Sequence, residues 1–331
     1  MLFYTAKEIN IAMYLQIMYY EMMPILLGKE FLLRNQVIYD TQGHVDDYDH
    51  ELEPRVSIEY VIGTRWFHTM QEGRLKLYTH DGRLYRELAA VDFTLRTGAL
   101  PVNRTLEGIT QGTFRQPCAA VDGVVDPDVG ERILGRLQRA SDVLASDIMK
   151  GRDAGLPPYN EYRHICDLPR IKKFKDLLEW MEPEQVEGMA MMYESPEDIE
   201  LYPALLAERA LPGAALGPTL ACLMASQLLR WRRADRFWYE NTVHPGAFTE
   251  EQLLEIRKAT LSRIICDHGE EVHEIQPNAF LLAGHGNEMT ECVNIPSPNL
   301  NAWTDSSCSR KQYIQQKTFF TPDHVDSYFD W

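Results

Sequence analysis

Clustered basic charge is what this 331-residue chain most clearly lacks, since 33 lysines and arginines stand against 49 aspartates and glutamates, a formal net charge of −16. Nucleic acid and anionic lipid are both held by grouped cations that neutralise phosphates, so neither is an expected partner. Long apolar runs are missing as well. Lys7, Glu8, Gln16 and Glu21 interrupt the N-terminal stretch, which excludes a signal peptide and a membrane span there. A secreted protein would then need its natural N-terminus upstream of Met1. Low-complexity segments and repeats of fixed period are absent, and 45% hydrophobic residues suffice for a large globular core.

No CxxC spacing suited to zinc occurs among the six cysteines, Cys118, Cys166, Cys222, Cys266, Cys292 and Cys308. Their even number permits three disulfides, and buried free thiols are the alternative. Asn103-Arg104-Thr105 forms an N-glycosylation acceptor, which would matter only in a secreted protein.

What is present is helical. Residues 5–27 predict one long buried helix with Pro24 near its end and Gly28 at the C-cap. Residues 34–55 are polar and read as an irregular arm. A helix is expected over 55–73, with Arg65 and His68 on one face because they are three apart. Short turn-rich pieces follow to Pro117. Another helix is expected from 127 to 150, its acidic start suited to a positive helix N-terminus. Residues 151–160 predict a turn, residues 172–181 and 216–233 helices, and residues 249–266 a clear helix capped by Thr249 with Gln252 three residues on. No alternating strand pattern of useful length stands out. The expected fold is mainly α with long connections, one unit over residues 1–305 and a tail over 306–331.

The run Gly151-Arg152-Asp153-Ala154-Gly155-Leu156-Pro157-Pro158-Tyr159-Asn160-Glu161-Tyr162-Arg163 resembles RxRDHGLPxYNxxR of the animal haem peroxidases. Ala234-Asp235-Arg236-Phe237-Trp238-Tyr239-Glu240-Asn241 is similar to the family's GDRFWxEN, and Arg263-Ile264-Ile265-Cys266-Asp267 to its RIICD. Residues 12–28 resemble the helix ending in YxxLPxxLG, and Asn299-Leu300-Asn301-Ala302-Trp303 the closing NLxxW. The matches run in the family's order over roughly residues 5–305. They imply a mainly α, peroxidase-like domain that is incomplete on its N-terminal, distal side.

That resemblance implies haem b as cofactor, with His68 as the ligand of its iron. Gly63-Thr64-Arg65-Trp66-Phe67-His68 resembles the proximal motif AFRxGH, with Phe67 where the family has glycine. A benzyl group there could crowd the macrocycle or repack, and a core histidine without haem is the alternative reading of His68. Asp147 stands where the family places the asparagine that accepts the proximal histidine's hydrogen bond. A carboxylate would draw the imidazole toward imidazolate and lower the iron's reduction potential, unless Asp147 is only a solvated helix residue. Arg65 and Lys150 match positions whose charge lies near the haem propionates, with surface ion pairs as the alternative. Ala154 replaces the family's histidine, and Arg152 and Asp153 are expected to be architectural. The resemblance pairs Cys166 with Cys222 and Cys266 with Cys292, and leaves Cys118 and Cys308 unassigned.

The family's distal histidine, catalytic arginine, haem-linking carboxylates and any calcium would all lie upstream of residue 1, so no catalytic residue is assigned in this chain. The implied activity is a secreted peroxidase that uses hydrogen peroxide to oxidise small phenols, halides or protein tyrosines, of which this chain carries the proximal half. By itself the chain should bind haem weakly or turn over poorly. The alternative is a non-catalytic, peroxidase-like interaction or maturation module.

Overall fold

The computed structural model describes residues 2–134 and 142–304. The expected tail and Cys308 lie outside the described residues.

The first helix runs from Leu2 to Ile17, passes through a π-helical turn at Met18–Met22 and continues as Met23–Leu27. Pro24 explains the wide turn. Its ring would clash with the carbonyl four residues back and it has no N–H to offer, and one added residue in the turn relieves both problems. Gly28, at φ 81°, closes the helix and donates its N–H to the Pro24 carbonyl at 3.0 Å. The expectation of a buried helix holds only for its second half. Tyr19, Met23, Leu26 and Leu27 enter the core, whereas Leu2, Phe3, Tyr4 and Tyr14 are largely exposed.

Opposite this helix packs Pro218–Ala234, which contributes Leu220, Ala221, Met224 and Leu228 to the same apolar cluster. Trp238, Tyr239, Leu253 and Ile256 complete it. The clear helix expected over 249–266 is two helices, Glu250–Ile256 and Leu261–His268. Thr249 and Gln252 do form the reciprocal cap of the first. Thr260 starts the second by accepting from the Arg263 N–H at 3.0 Å, and that second cap is why the two are separate.

The peroxidase-like motifs supply the buried polar framework. Glu240 has no solvent exposure and accepts from Arg232 at 2.6 Å, Tyr20 at 2.8 Å, Trp238 at 3.0 Å and Arg257 at 3.1 Å. Arg163, equally buried, stacks 4.2 Å over Trp180 and meets Glu208, which also accepts from Tyr159 and Thr219. Asn160 brackets the backbone of Ile171 with one donated and one accepted bond. Buried charge costs several kcal/mol unless it is paired and fully bonded, so these residue types are demanded by architecture. Arg152 pairs with Glu200, as an architectural role requires, while Asp153 forms no ion pair among the described residues.

The turn-rich region holds structure the sequence reading passed over. Arg74–Tyr78 and Leu84–Ala89 form an antiparallel hairpin, turned at Asp81-Gly82 with Gly82 at φ 80°. The helix Thr105–Thr113 packs on its first strand. Aspartate followed by glycine between leucine-bearing runs is the hairpin signal in this stretch. Sheet content is otherwise small, so the fold is mainly α as expected.

Two disulfides close, Cys166–Cys222 with Cα atoms 6.0 Å apart and Cys266–Cys292 at 5.6 Å. Both are the pairs the resemblance implied. Cys118 is a free thiol at the surface.

Candidate functional site

His68 does not sit in the long helix expected over 55–73. A π-helical turn at Glu59–Gly63 ends at Thr64, and a single helical turn, Phe67–Met70, carries His68. The break has a local cause. Thr64 turns its hydroxyl back onto the Tyr60 carbonyl at 2.5 Å and takes φ −103°, ψ 46°, outside helical geometry. Gly63 is needed at the break because a Cβ there would come within 2.6 Å of the Leu201 side chain. The kinked segment thus lies close against the helix Leu201–Ala207, and Tyr202 fastens it by donating its hydroxyl to the Arg65 carbonyl at 3.2 Å.

Asp147 approaches from the helix Val143–Asp153, whose N-cap Asp142 accepts from the Ala145 N–H at 2.9 Å. The expected helix over 127–150 is not continuous. Pro127–Gly130 forms one turn, residues 131–134 leave the helix as turns, and among the described residues the next helix begins at Val143. The side chain of Asp147 is fully buried, which removes the reading of a solvated helix aspartate. Three groups meet it. Nδ1 of His68 lies 2.6 Å from Oδ2, Nζ of Lys150 lies 3.0 Å from Oδ1, and Nε of Arg65 lies 3.6 Å from Oδ1. All four residues singled out from the sequence are therefore brought together.

The three contacts differ in kind. Lys150 donates a well-directed hydrogen bond to Asp147. His68 and Asp147 are close enough for one, yet the ring N–H is not aligned with the oxygen and neither atom completes a hydrogen bond. The short distance makes the pair electrostatically strong, and the misalignment leaves it without a directed bond. Arg65 is beyond hydrogen-bond range and contributes attraction only. His68, Arg65 and Lys150 keep 22%, 31% and 41% of their side-chain surface, so the carboxylate is sealed while its partners reach solvent.

Phe67, beside His68, is not repacked into the core. Its ring stacks on buried Trp66 with centroids 3.8 Å apart and stays 49% exposed. Tyr202 is a member of the site that the sequence reading missed. Burial pushes its phenol pKa well up, with the Asp147 charge adding to the effect. Nothing in the local sequence connects residue 202 to residue 65, so no signal short of the fold could have found it.

The arrangement sets one imidazole and two cations around a single buried carboxylate. A ring whose Nδ1 faces a buried carboxylate at 2.6 Å has Nε2 as its other nitrogen donor. The animal haem peroxidase family model matches residues 1–280. The chain belongs to the animal haem peroxidase family. It is 35% identical over 308 residues to a peroxidase of Drosophila melanogaster, covering 92% of this chain and 45% of that protein. The chorion peroxidase of the same organism is 30% identical over 91% of this chain and 38% of its own length. This chain thus spans less than half the length of either relative. Among solved structures, peroxidase A from Dictyostelium discoideum superposes with a TM-score of 0.70 at 24% identity, covering 82% of this chain and 50% of that one. A fatty acid α-dioxygenase from Oryza sativa reaches 0.64 at 18% identity over 81% and 49%. These two likenesses establish the shared helical fold.

Proposed function

We propose that residues 1–305 form the proximal part of a haem peroxidase domain, with 306–331 a tail, and that His68 is the axial ligand of haem b. The observation that carries this reading is the approach of His68 Nδ1 to the buried carboxylate of Asp147 at 2.6 Å. Haem, when bound, supplies the redox-active iron through which hydrogen peroxide oxidises a small phenol, a halide or a protein tyrosine. The chain's own residues do the rest of what this side of the site requires. The Asp147 charge beside Nδ1 favours the tautomer with its proton on that nitrogen, which leaves Nε2 as the metal donor. Arg65 meets Asp147 only through Nε, so its two terminal nitrogens remain for a propionate. Lys150 neutralises Asp147 from the other edge.

Proton movement between the two oxygens of peroxide needs an acid-base group on the far side of the haem. That group, with any calcium, would belong to the remainder of the parent enzyme. The two closed disulfides support an extracellular setting, since such bonds persist in oxidising compartments. In that setting exposed Asn103 is the glycan acceptor.

Titration of the purified chain with haem tests the ligand assignment. The expected result is a Soret band that is lost or displaced in His68→Ala. A band indifferent to that substitution, or no band at all, removes the proximal ligand.

A further inference from the structure

We infer that Lys150 is a positioning residue that sets how strongly Asp147 polarises His68, and so the electron donation of the axial ligand. The inference rests on the reading of His68 as the iron ligand and deepens it. Family resemblance places Lys150 near a propionate; the geometry gives it a different primary partner.

Three observations carry the point. The directed hydrogen bond on Asp147 comes from Lys150, at 3.0 Å, and His68 has a close contact without alignment. The carboxylate is fully buried, so its charge is divided among the protein groups around it and is not dissipated into water. Arg65 adds a second positive charge at 3.6 Å on the same oxygen, which leaves the cluster of one carboxylate and two cations positive overall. Negative charge drawn to Oδ1 is withdrawn from Oδ2, the atom that faces the imidazole.

Lys150 weakens the push that Asp147 gives the ring. An aspartate behind a ligating histidine should press the ring toward imidazolate and lower the reduction potential of the iron. With Lys150 bonded to the other oxygen, Asp147 acts on the ring with much less than a full charge. Lys150 competes with His68 for one carboxylate, and the competition sets donor strength. Lys150 touches neither iron nor peroxide in this scheme and works through Asp147.

The test uses the haem-loaded chain and two variants, Lys150→Met, which keeps length and removes charge, and Lys150→Arg, which keeps charge. The readouts are the iron–histidine stretching frequency by resonance Raman and the reduction potential by spectroelectrochemical titration. Lys150→Met is expected to raise the stretching frequency and lower the potential, while Lys150→Arg stays near the parent. Lys150→Gln serves where the Met variant does not fold. A Soret band that depends on His68, with a frequency and potential indifferent to Lys150→Met or Lys150→Gln, overturns this inference and leaves the ligand assignment standing. A band that ignores His68→Ala, or no band, overturns both.

Discussion

Nδ1 of His68 and Oδ2 of Asp147 approach to 2.6 Å across two elements far apart in sequence, and the carboxylate between them is shut off from solvent. One buried charge thereby organises a histidine and two cations. Asp147→Ala is expected to destabilise the chain by about 1–3 kcal/mol, below the cost of stranding fully buried charges because Arg65 and Lys150 retain access to water. Asp147→Asn keeps an acceptor and should cost less. Urea denaturation of the haem-free chain measures both, and an Ala variant as stable as the parent contradicts the account.

Glu240 has a heavier structural role. It is the shared acceptor of Arg232, Arg257, Tyr20 and Trp238, and Arg232 is itself fully buried. Removal in Glu240→Ala leaves the buried Arg232 with Asp47, at 2.9 Å, as its remaining carboxylate and strips Tyr20 and Trp238 of their acceptor, at a cost of about 3 kcal/mol. The shift in urea midpoint gives the value for any chain that still folds, and Glu240→Gln should fall between the parent and the Ala variant.

The two disulfides differ in the length of chain they close. Cys166 and Cys222 are 56 residues apart, and Cys266 and Cys292 are 26 apart. By loop-closure entropy the first stabilises by about 4 kcal/mol and the second by about 3.5 kcal/mol. Thermal melts of the two double-serine variants should both fall, with the loss of Cys166–Cys222 the larger. A reductant should produce no further loss in a variant lacking both bonds.

Glu21 offers a pH test of the core. Burial raises its carboxyl pKa, and the bond accepted from the Leu261 N–H only partly offsets this. The folded chain therefore favours the protonated form. The stabilising contribution is complete below the ordinary carboxylate range and is lost as pH rises through the elevated value. Glu21→Gln keeps an acceptor without the charge. It should melt above the parent at pH 7, with the difference closing as pH falls below 4. A difference independent of pH would falsify the burial argument.

The family and the mainly α class were legible in the motifs, both disulfide pairs followed from the resemblance those motifs carry, and the four residues His68, Arg65, Asp147 and Lys150 singled out there do meet in the fold. These were legible because motif spacing survives wherever a particular side chain is irreplaceable. Glu240, Arg163 and Asn160 each satisfy a buried polar partner that another residue type would leave bare. The Asp81-Gly82 turn is a local signal too, flanked by strands of only 5 and 6 residues in which alternation is weak.

Tertiary structure decided the rest, because it depends on contacts between distant segments. The helix expected through His68 is broken at Thr64, and the break is shaped by Leu201 pressing on Gly63 and Tyr202 holding the Arg65 carbonyl. Which neighbour donates a hydrogen bond to Asp147 follows from how the helix Val143–Asp153 packs beside that kink. Residue types name the candidates for a site, while the division of one buried charge among three neighbours is a matter of ångströms that only the folded chain sets.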